Sequence, residues 1–519
     1  MKTVALTGAS GSMGSEALKQ ILELDDVRVK ILLRPKKSNK RLAKRLSKKY
    51  KDKLDIIMGD LSVYSDCEKF IDGADYVIHC GAIIPPKSDH QPNATYGSNF
   101  VGTKNLVDAT LNSNRANEIK FVNIGTVALY GNRDYHHPWG RVGDPLMPST
   151  YDVYAATKLR AERYVLEAGL PHFVSLRQTA VLHKNMFMNN IKDGLMFHTC
   201  WNAPLDWVTD VDSGLLCKNL VKFDMDGTLA NDFWQRVYNI GSDDSGRCTG
   251  YDTFDDGFKL MGGSTKKFFQ PNWNVIRNFH GMWFYDSDVL NNYLDYQKTN
   301  LNEYWANLGK RLWYFKLGAI VPPQLISKLV IQRLFTNSNA PLYWRKIRHL
   351  GRMEAFFGPK ENFESLPKKW DDFPLFRDGK TPEGDIDYSK VKTKEWAKEH
   401  LLSHGYDESK PDSELDIEDM KQAAAFRGGK CLSETMTKGD LYTKLEWECH
   451  DGHKFWATPY TVLKAGHWCP ECCQPLPWHW GELSQHIPFF AQVYWDTHDK
   501  SETGTYPLSN NEDDFLSEE

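Results

Sequence analysis

The sequence predicts an α/β fold: a doubly wound parallel sheet, then a smaller, mostly helical domain, then a small cysteine-rich module. Three observations carry this expectation. Short Val- and Ile-rich runs alternate with helix-compatible stretches through the first half of the chain. Three glycines, Gly8, Gly11 and Gly14, follow the first of these runs at three-residue intervals. Five of the ten cysteines crowd into residues 431–473.

The runs TVALTG, VRVKILLR, LDIIMGD, DYVIHCGA, IKFVNIGT and HFVSLRQT read as strands, apolar enough to be covered on both faces. The pattern returns at WVTDVDSGLLCKNLVKF and at VYNIGS, placing a first domain at 1–248, whose irregular segment 186–205 contributes to a substrate pocket. Residues 249–405 are aromatic-rich with long helical patterns and read as a substrate domain. Within them, NLGKRLWYFKLGAIVPPQLISKLVIQRLF (307–335) reads as a pair of packed core helices broken at Pro322-Pro323; a membrane-surface or substrate-lid helix is the alternative. The polar stretch 406–425 reads as a linker, 426–485 as the cysteine-rich module and 500–519 as an acidic, disordered tail.

At 519 residues the chain exceeds one ordinary core. A net charge of −4 gives no overall bias toward nucleic acid or membrane, and the basic run at 36–53 reads as a solvated helix face. No apolar stretch reaches membrane-spanning length and the N-terminus lacks a leader pattern. The expectation is a cytoplasmic protein with a small-molecule substrate, no integral membrane segment and no nucleic-acid partner; a homodimer is compatible with it. Cys67, Cys80, Cys200, Cys217 and Cys248 are scattered and read as free thiols.

TGASGSMG lies between a strand and the helix SEALKQILEL, the setting of a dinucleotide loop in a Rossmann fold. Glycine allows close backbone approach, and helix-start amides can face a pyrophosphate. Gly8, Ser10, Gly11, Ser12, Met13 and Gly14 are therefore cofactor-binding candidates. The second strand ends in Arg34-Pro35-Lys36-Lys37, with no acid to bond ribose hydroxyls; a guanidinium there suits a 2′-phosphate, so NADP is expected, with NAD as the alternative. Asp60 and Leu61 after the third strand can contact the adenine. Cys80, Gly81 and Ala82 after the fourth are small enough for a cofactor to pass over the sheet edge.

YAATK places Tyr154 and Lys158 one helical turn apart on one face. A phenol with a pKa of about 10 is a poor acid-base at neutral pH unless a nearby ammonium favours its anion. Thr126, ending the strand IKFVNIGT, offers a hydroxyl to hold a substrate oxygen.

Taken together, TGASGSMG, NFVGTKNL (Asn99, Gly102, Thr103), NIGTVALYG, YAATK and LRQTAVLH resemble the extended short-chain dehydrogenase/reductase family, in which NAD-dependent epimerases and dehydratases fall. The resemblance covers about residues 1–250. It implies an enzyme with Tyr154 as acid-base, Lys158 orienting ribose and lowering the tyrosine pKa, Thr126 positioning substrate, and Gln178 and Thr179 on the nicotinamide side. Two departures narrow the reaction. Dehydratases of the family carry an acidic pair after the Ser/Thr, where this chain has Val127 and Ala128. Nucleotide-sugar enzymes place Asn three residues after the loop arginine, where Arg177 is followed by Gln178, Thr179 and Ala180. The expected function is thus NAD(P)-dependent interconversion of a hydroxyl and a ketone on a fairly hydrophobic, steroid-like molecule. Its apolar pocket would draw on Met186, Phe187, Met188, Trp201, Trp207, Phe279, Trp283 and Phe284. The alternatives are a nucleotide-sugar epimerase retaining NAD, and a cofactor-sensing regulatory protein acting through the C-terminal module.

In that module Cys449-x3-His453 is followed after fifteen residues by Cys469-x2-Cys472. Two close pairs of soft or borderline ligands suit tetrahedral zinc. The segment resembles zinc-ribbon and treble-clef modules, which implies Cys449, His453, Cys469 and Cys472 as ligands of a structural zinc. Cys431 is the rival to His453.

Overall fold

Seven apolar runs become seven parallel strands in a computed structural model that describes residues 1–183, 186, 192–315 and 321–508. They are β1 (Lys2–Thr7), β2 (Val27–Leu33), β3 (Leu54–Met58), β4 (Tyr76–His79), β5 (Lys120–Thr126), β6 (Phe173–Gln178) and β7 (Arg236–Ile240). Their order in the sheet is β3-β2-β1-β4-β5-β6-β7. Val4 of β1 pairs with Val29 on one side and Tyr76 on the other. The strand order therefore reverses between β1 and β4, which opens a crevice at their carboxyl ends.

Alternation of side chains across each strand builds two apolar layers. Val4, Leu6 and Ile78 face one layer, with helices α1 (Ser12–Ile21) and α6 (Asp210–Met225), which pack on each other. Ala5, Val77, Phe121 and Phe173 face the other, with α3 (Tyr64–Ile71), α4 (Gly102–Leu111) and α5 (Val153–Glu167). Helix α2 (Lys37–Lys49) keeps its lysine-rich face in solvent, as its composition requires. Asp152 caps α5 by accepting from Ala155 N at 2.9 Å, and Thr209 caps α6 through Asp212 N at 3.0 Å.

Several expectations differ from the structure. The strand Pro204–Thr209 joins Ala180–Leu182 and Arg247–Thr249 in a separate three-stranded sheet. The stretch 406–425 is not a free linker. Residues Ile417–Phe426 form a helix with a capping box between Asp416 and Asp419, and Glu408 pairs with Arg141 at 2.7 Å. Its polar residues serve as caps and ion-pair partners, which composition alone does not distinguish from solvated ones.

The C-terminal module, built on the antiparallel strands Lys430–Cys431, Leu445–Glu448 and Lys454–Ala457, shares one apolar cluster with Phe121, Val165 and Phe173. Residues 500–508 are packed as well: Tyr506 N donates to Trp478 O at 2.8 Å, and Glu502 pairs with Arg277. The remainder of the expected tail, 509–519, lies outside the described residues.

The expected core helices at 307–335 are only half core. Ser327, Ile331 and Leu334 are buried, whereas Trp313, Leu325 and Leu329 are exposed; residues 316–320 lie outside the described residues. Among the described residues no helix is long and apolar enough to cross a membrane.

Candidate functional site

The crevice between β1 and β4 holds a cleft of about 440 Å³. Its floor is set by glycine. Gly8 has φ +77°, and a Cβ there would lie 2.7 Å from the Cys80 carbonyl carbon. A Cβ on Gly14 would lie 2.3 Å from Gly8 O, so the turn and the start of α1 close on each other only without side chains. Hydrogen bonds pin the crossing beneath: Gly81 N donates to Thr7 Oγ1 at 2.9 Å, Thr7 pairs with His79 Nδ1 at 2.8 Å, and His79 Nε2 with Thr103 Oγ1 at 2.9 Å. Burial, and secondarily Lys158, bring His79 down to about 3, so the ring is neutral. Asn99 accepts from Ile83 N at 2.7 Å and donates to Ile83 O at 2.9 Å, holding the loop after β4.

The structure brings together nearly all the residues expected at the cofactor. Gly8, Ser10, Gly11, Ser12, Met13 and Gly14 line the cleft on one side; Arg34, Asp60 and Leu61 line its outer end. Cys80, Gly81 and Ala82 form its wall, and Tyr154, Gln178 and Thr179 its inner end. Lys158 does not line it: buried, its Nζ donates to Ile124 O at 2.7 Å, beneath the cleft. Sequence reasoning missed Asn39, Ser98 and His183, which also line the cleft. Asn39 donates to Arg34 O at 3.0 Å, and its signal was its place one turn into a basic helix.

At the inner end Tyr154 and Thr126 line the cleft together, and Thr126 Oγ1 accepts from Ala128 N at 3.2 Å. Burial pushes Tyr154 up to about 12, opposed by the Thr126 hydroxyl. Burial brings Lys158 down to about 8, opposed by Glu162. Gln178 lines this end with an Oε1 that is buried and without a partner among the described residues. An acceptor so placed fits the carboxamide NH₂ of a nicotinamide. At the outer end neither Arg34 nor Lys36 makes an ion pair among the described residues. Their charges, after burial, help lower the pKa of Lys87. Three cations crowded together without a counter-ion fit a phosphate.

Arg177, expected near the nicotinamide loop, is wholly buried behind it. It pairs with Glu162 of α5, Nη2 donating to Oε1 at 2.6 Å, and donates to Ala465 O at 2.7 Å and to Tyr130 Oη at 2.7 Å. His467 Nε2 reaches the same Glu162 carboxylate at 3.1 Å. Burial opposes ionisation of Glu162, yet Arg177 and His467 hold its carboxyl well below the usual range.

The expected apolar pocket is not assembled. None of Met186, Trp201, Trp207, Phe279, Trp283 and Phe284 lines the cleft. Trp201, Trp283 and Phe284 fill three separate core clusters, Met186 packs with Leu182 and Leu301, and Phe279 stacks on His280. Trp207 lines a different cavity. Phe187 and Met188 lie outside the described residues.

In the C-terminal module one ligand atom each of Cys449, His453, Cys469 and Cys472 converge within 4.8 Å of one another. Cys449 Sγ lies 3.4 Å from His453 Nδ1, Cys469 Sγ 3.8 Å from the same nitrogen, and Cys472 Sγ 3.8 Å from Cys449 Sγ. Sulfurs about 2.3 Å from a tetrahedral zinc stand about 3.8 Å apart, so the cage has the dimensions of the ion. An overlapping group of Cys449, His450, Asp451 and Cys472 draws on an exposed carboxylate. Cys431 belongs to neither group; it pairs with Trp447 in the sheet.

Residues 4–187 match the model of the NAD dependent epimerase/dehydratase family. The UDP-glucose 4-epimerase of Rickettsia akari is 29% identical over 123 residues, covering 23% of this chain and 35% of that protein. The chain thus spans about a third of the length of that curated relative. A dTDP-glucose 4,6-dehydratase from Bacillus anthracis in complex with NAD aligns over 61% of this chain and 97% of its own, at 17% identity and a TM-score of 0.45. A UDP-glucuronic acid 4-epimerase from Bacillus cereus in complex with NAD covers 61% and 98%, at 20% identity and a TM-score of 0.44.

Proposed function

We propose, with the epimerase/dehydratase match of residues 4–187 as premise, that the chain is an NAD(P)-dependent enzyme that oxidises a hydroxyl to a transient ketone and reduces it again on a polar, nucleotide-sugar-like substrate. The observation that carries the reading is Tyr154, placed beside Thr126 at the inner end of a glycine-floored cleft. When bound, a nicotinamide supplies a reversible hydride acceptor. Tyr154 takes the hydroxyl proton as the carbon is oxidised and returns it when the carbonyl is reduced. Thr126 holds the substrate oxygen beside the phenol. Lys158, fixed by the Ile124 carbonyl, supplies the positive charge that lowers the tyrosine pKa. Gln178 and Thr179 orient the carboxamide end, and Arg34 with Lys36 hold a 2′-phosphate, which favours NADP. Epimerisation is the substrate-level reading, because the aromatics that suggested a steroid-like molecule are spent in the core.

A net oxidoreductase is the second reading, favoured by the unpaired cations at Arg34 and Lys36, which suit an exchangeable NADP. Incubation with UDP-hexoses separates the two. Epimer formation without net change in nicotinamide absorbance supports the first; stoichiometric consumption of cofactor supports the second.

Cys449, His453, Cys469 and Cys472 would hold a zinc whose four protein ligands leave no open position, so its role is to fold the module. One equivalent of zinc per chain in metal analysis of protein purified without chelator is the expected result; none would refute the assignment.

A further inference from the structure

Between Tyr304 and Met353 the sequence holds nine lysines and arginines and no aspartate or glutamate, in a chain whose net charge is −4. The same stretch exposes apolar surface: seven of the fifteen exposed large apolar side chains among the described residues lie between Trp313 and Leu350. The helical run from Pro323 to Thr336 shows how the two features combine. Its inner face is spent, with Ser327, Ile331 and Leu334 buried and Ser327 Oγ donating to Phe268 O at 2.8 Å. Its outer face, at helical spacing, presents Leu325, Lys328, Leu329 and Arg333, all exposed, with Leu329 at 59%, and exposed Val321 lies just before the run. The helix Pro341–Ile347 packs beside this run. It continues the character with exposed Arg345, Lys346, Ile347 and Arg348, followed by Leu350 at 75%. Among the described residues none of Lys328, Arg333, Arg345, Lys346 and Arg348 forms an ion pair.

We infer that this face binds the surface of an anionic phospholipid membrane. Leucine and isoleucine interleaved with unpaired cations match what such a surface offers, acyl chains beneath a layer of negative headgroups. Trp313, 65% exposed, and Tyr314 beside it are the aromatic types that lodge at that boundary. The contact is peripheral, made by short helices lying along the surface. The chain outside this stretch is net acidic, so this basic face favours an orientation toward negative charge.

Flotation of the full chain with vesicles tests the inference. Phosphatidylcholine vesicles containing phosphatidylserine should carry the protein upward, pure phosphatidylcholine vesicles should not, and added salt should weaken the association. Lys328→Glu with Arg333→Glu, and separately Leu325→Ser with Leu329→Ser, should each weaken binding about ten-fold or more at an unchanged melting temperature. If a variant fails to fold, the lipid and salt dependence of the unaltered chain decides. A chain that stays unbound at every composition overturns the inference, as does floating of both folded variants like the unaltered protein. Retention on single-stranded RNA without vesicle binding overturns it equally.

Discussion

Burial, opposed by the Thr126 hydroxyl, pushes Tyr154 up to about 12, so proton exchange near neutral pH requires a cation beside it. On the proposed reading Lys158 supplies that cation, and its own burial brings it down to about 8, so its charge is lost as pH rises through that value in the cofactor-free chain. A cation lowers the pKa of a neighbouring phenol, so removing it raises that pKa. Lys158→Met should therefore shift the alkaline limb of the oxidation rate to higher pH by about one unit or more, read from a pH–rate profile. An unmoved limb would place the ammonium outside the proton-transfer step. The spacing of Tyr154 and Lys158 was legible in the sequence because one helical turn is a local property. The Ile124 carbonyl that holds the lysine was not, because it comes from a different element 34 positions away.

At the scale of elements, continuous apolar runs made the seven strands legible, and the glycine triplet marked the turn that β1 makes into α1. What the spacing did not reveal is why each glycine is needed. Gly14 is barred from bearing a side chain by the Gly8 carbonyl, whose oxygen would stand 2.3 Å from a Cβ at that position. Gly14→Ala must push α1 away from the loop. Dinucleotide affinity, measured by titration of the purified protein, should fall at least about ten-fold while the fold persists. Affinity equal to that of the unaltered chain would show that the loop does not cradle the cofactor. The helix Ile417–Phe426 was misread as linker for the opposite reason. Its signal lies in the caps Asp416 and Asp419, and polar caps look like solvated residues until their backbone partners are known.

The whole molecule is joined by a seam that no local pattern announces. Glu162 on α5 and His467 in the C-terminal module stand 305 positions apart, yet meet at 3.1 Å, with Arg177 bridging from β6 to the module's backbone. The module therefore braces the helix that carries Tyr154 and Lys158, rather than hanging from a tether. Breaking a buried pair leaves a charge without its partner, so Glu162→Ala should cost about 3–5 kcal/mol in denaturant unfolding. A loss below about 1 kcal/mol would mean that solvent reaches the seam. The aromatic residues teach the same lesson. Their number was visible in the sequence, but their assignment to core rather than pocket depended on long-range packing. The central claim, that this cleft supports hydride transfer with Tyr154 as acid-base, is tested most directly by nicotinamide absorbance in a single turnover with a UDP-hexose panel. The unaltered chain should show a transient change that Tyr154→Phe slows by about 10²–10⁴-fold with cofactor binding retained; equal rates in the two proteins would contradict it.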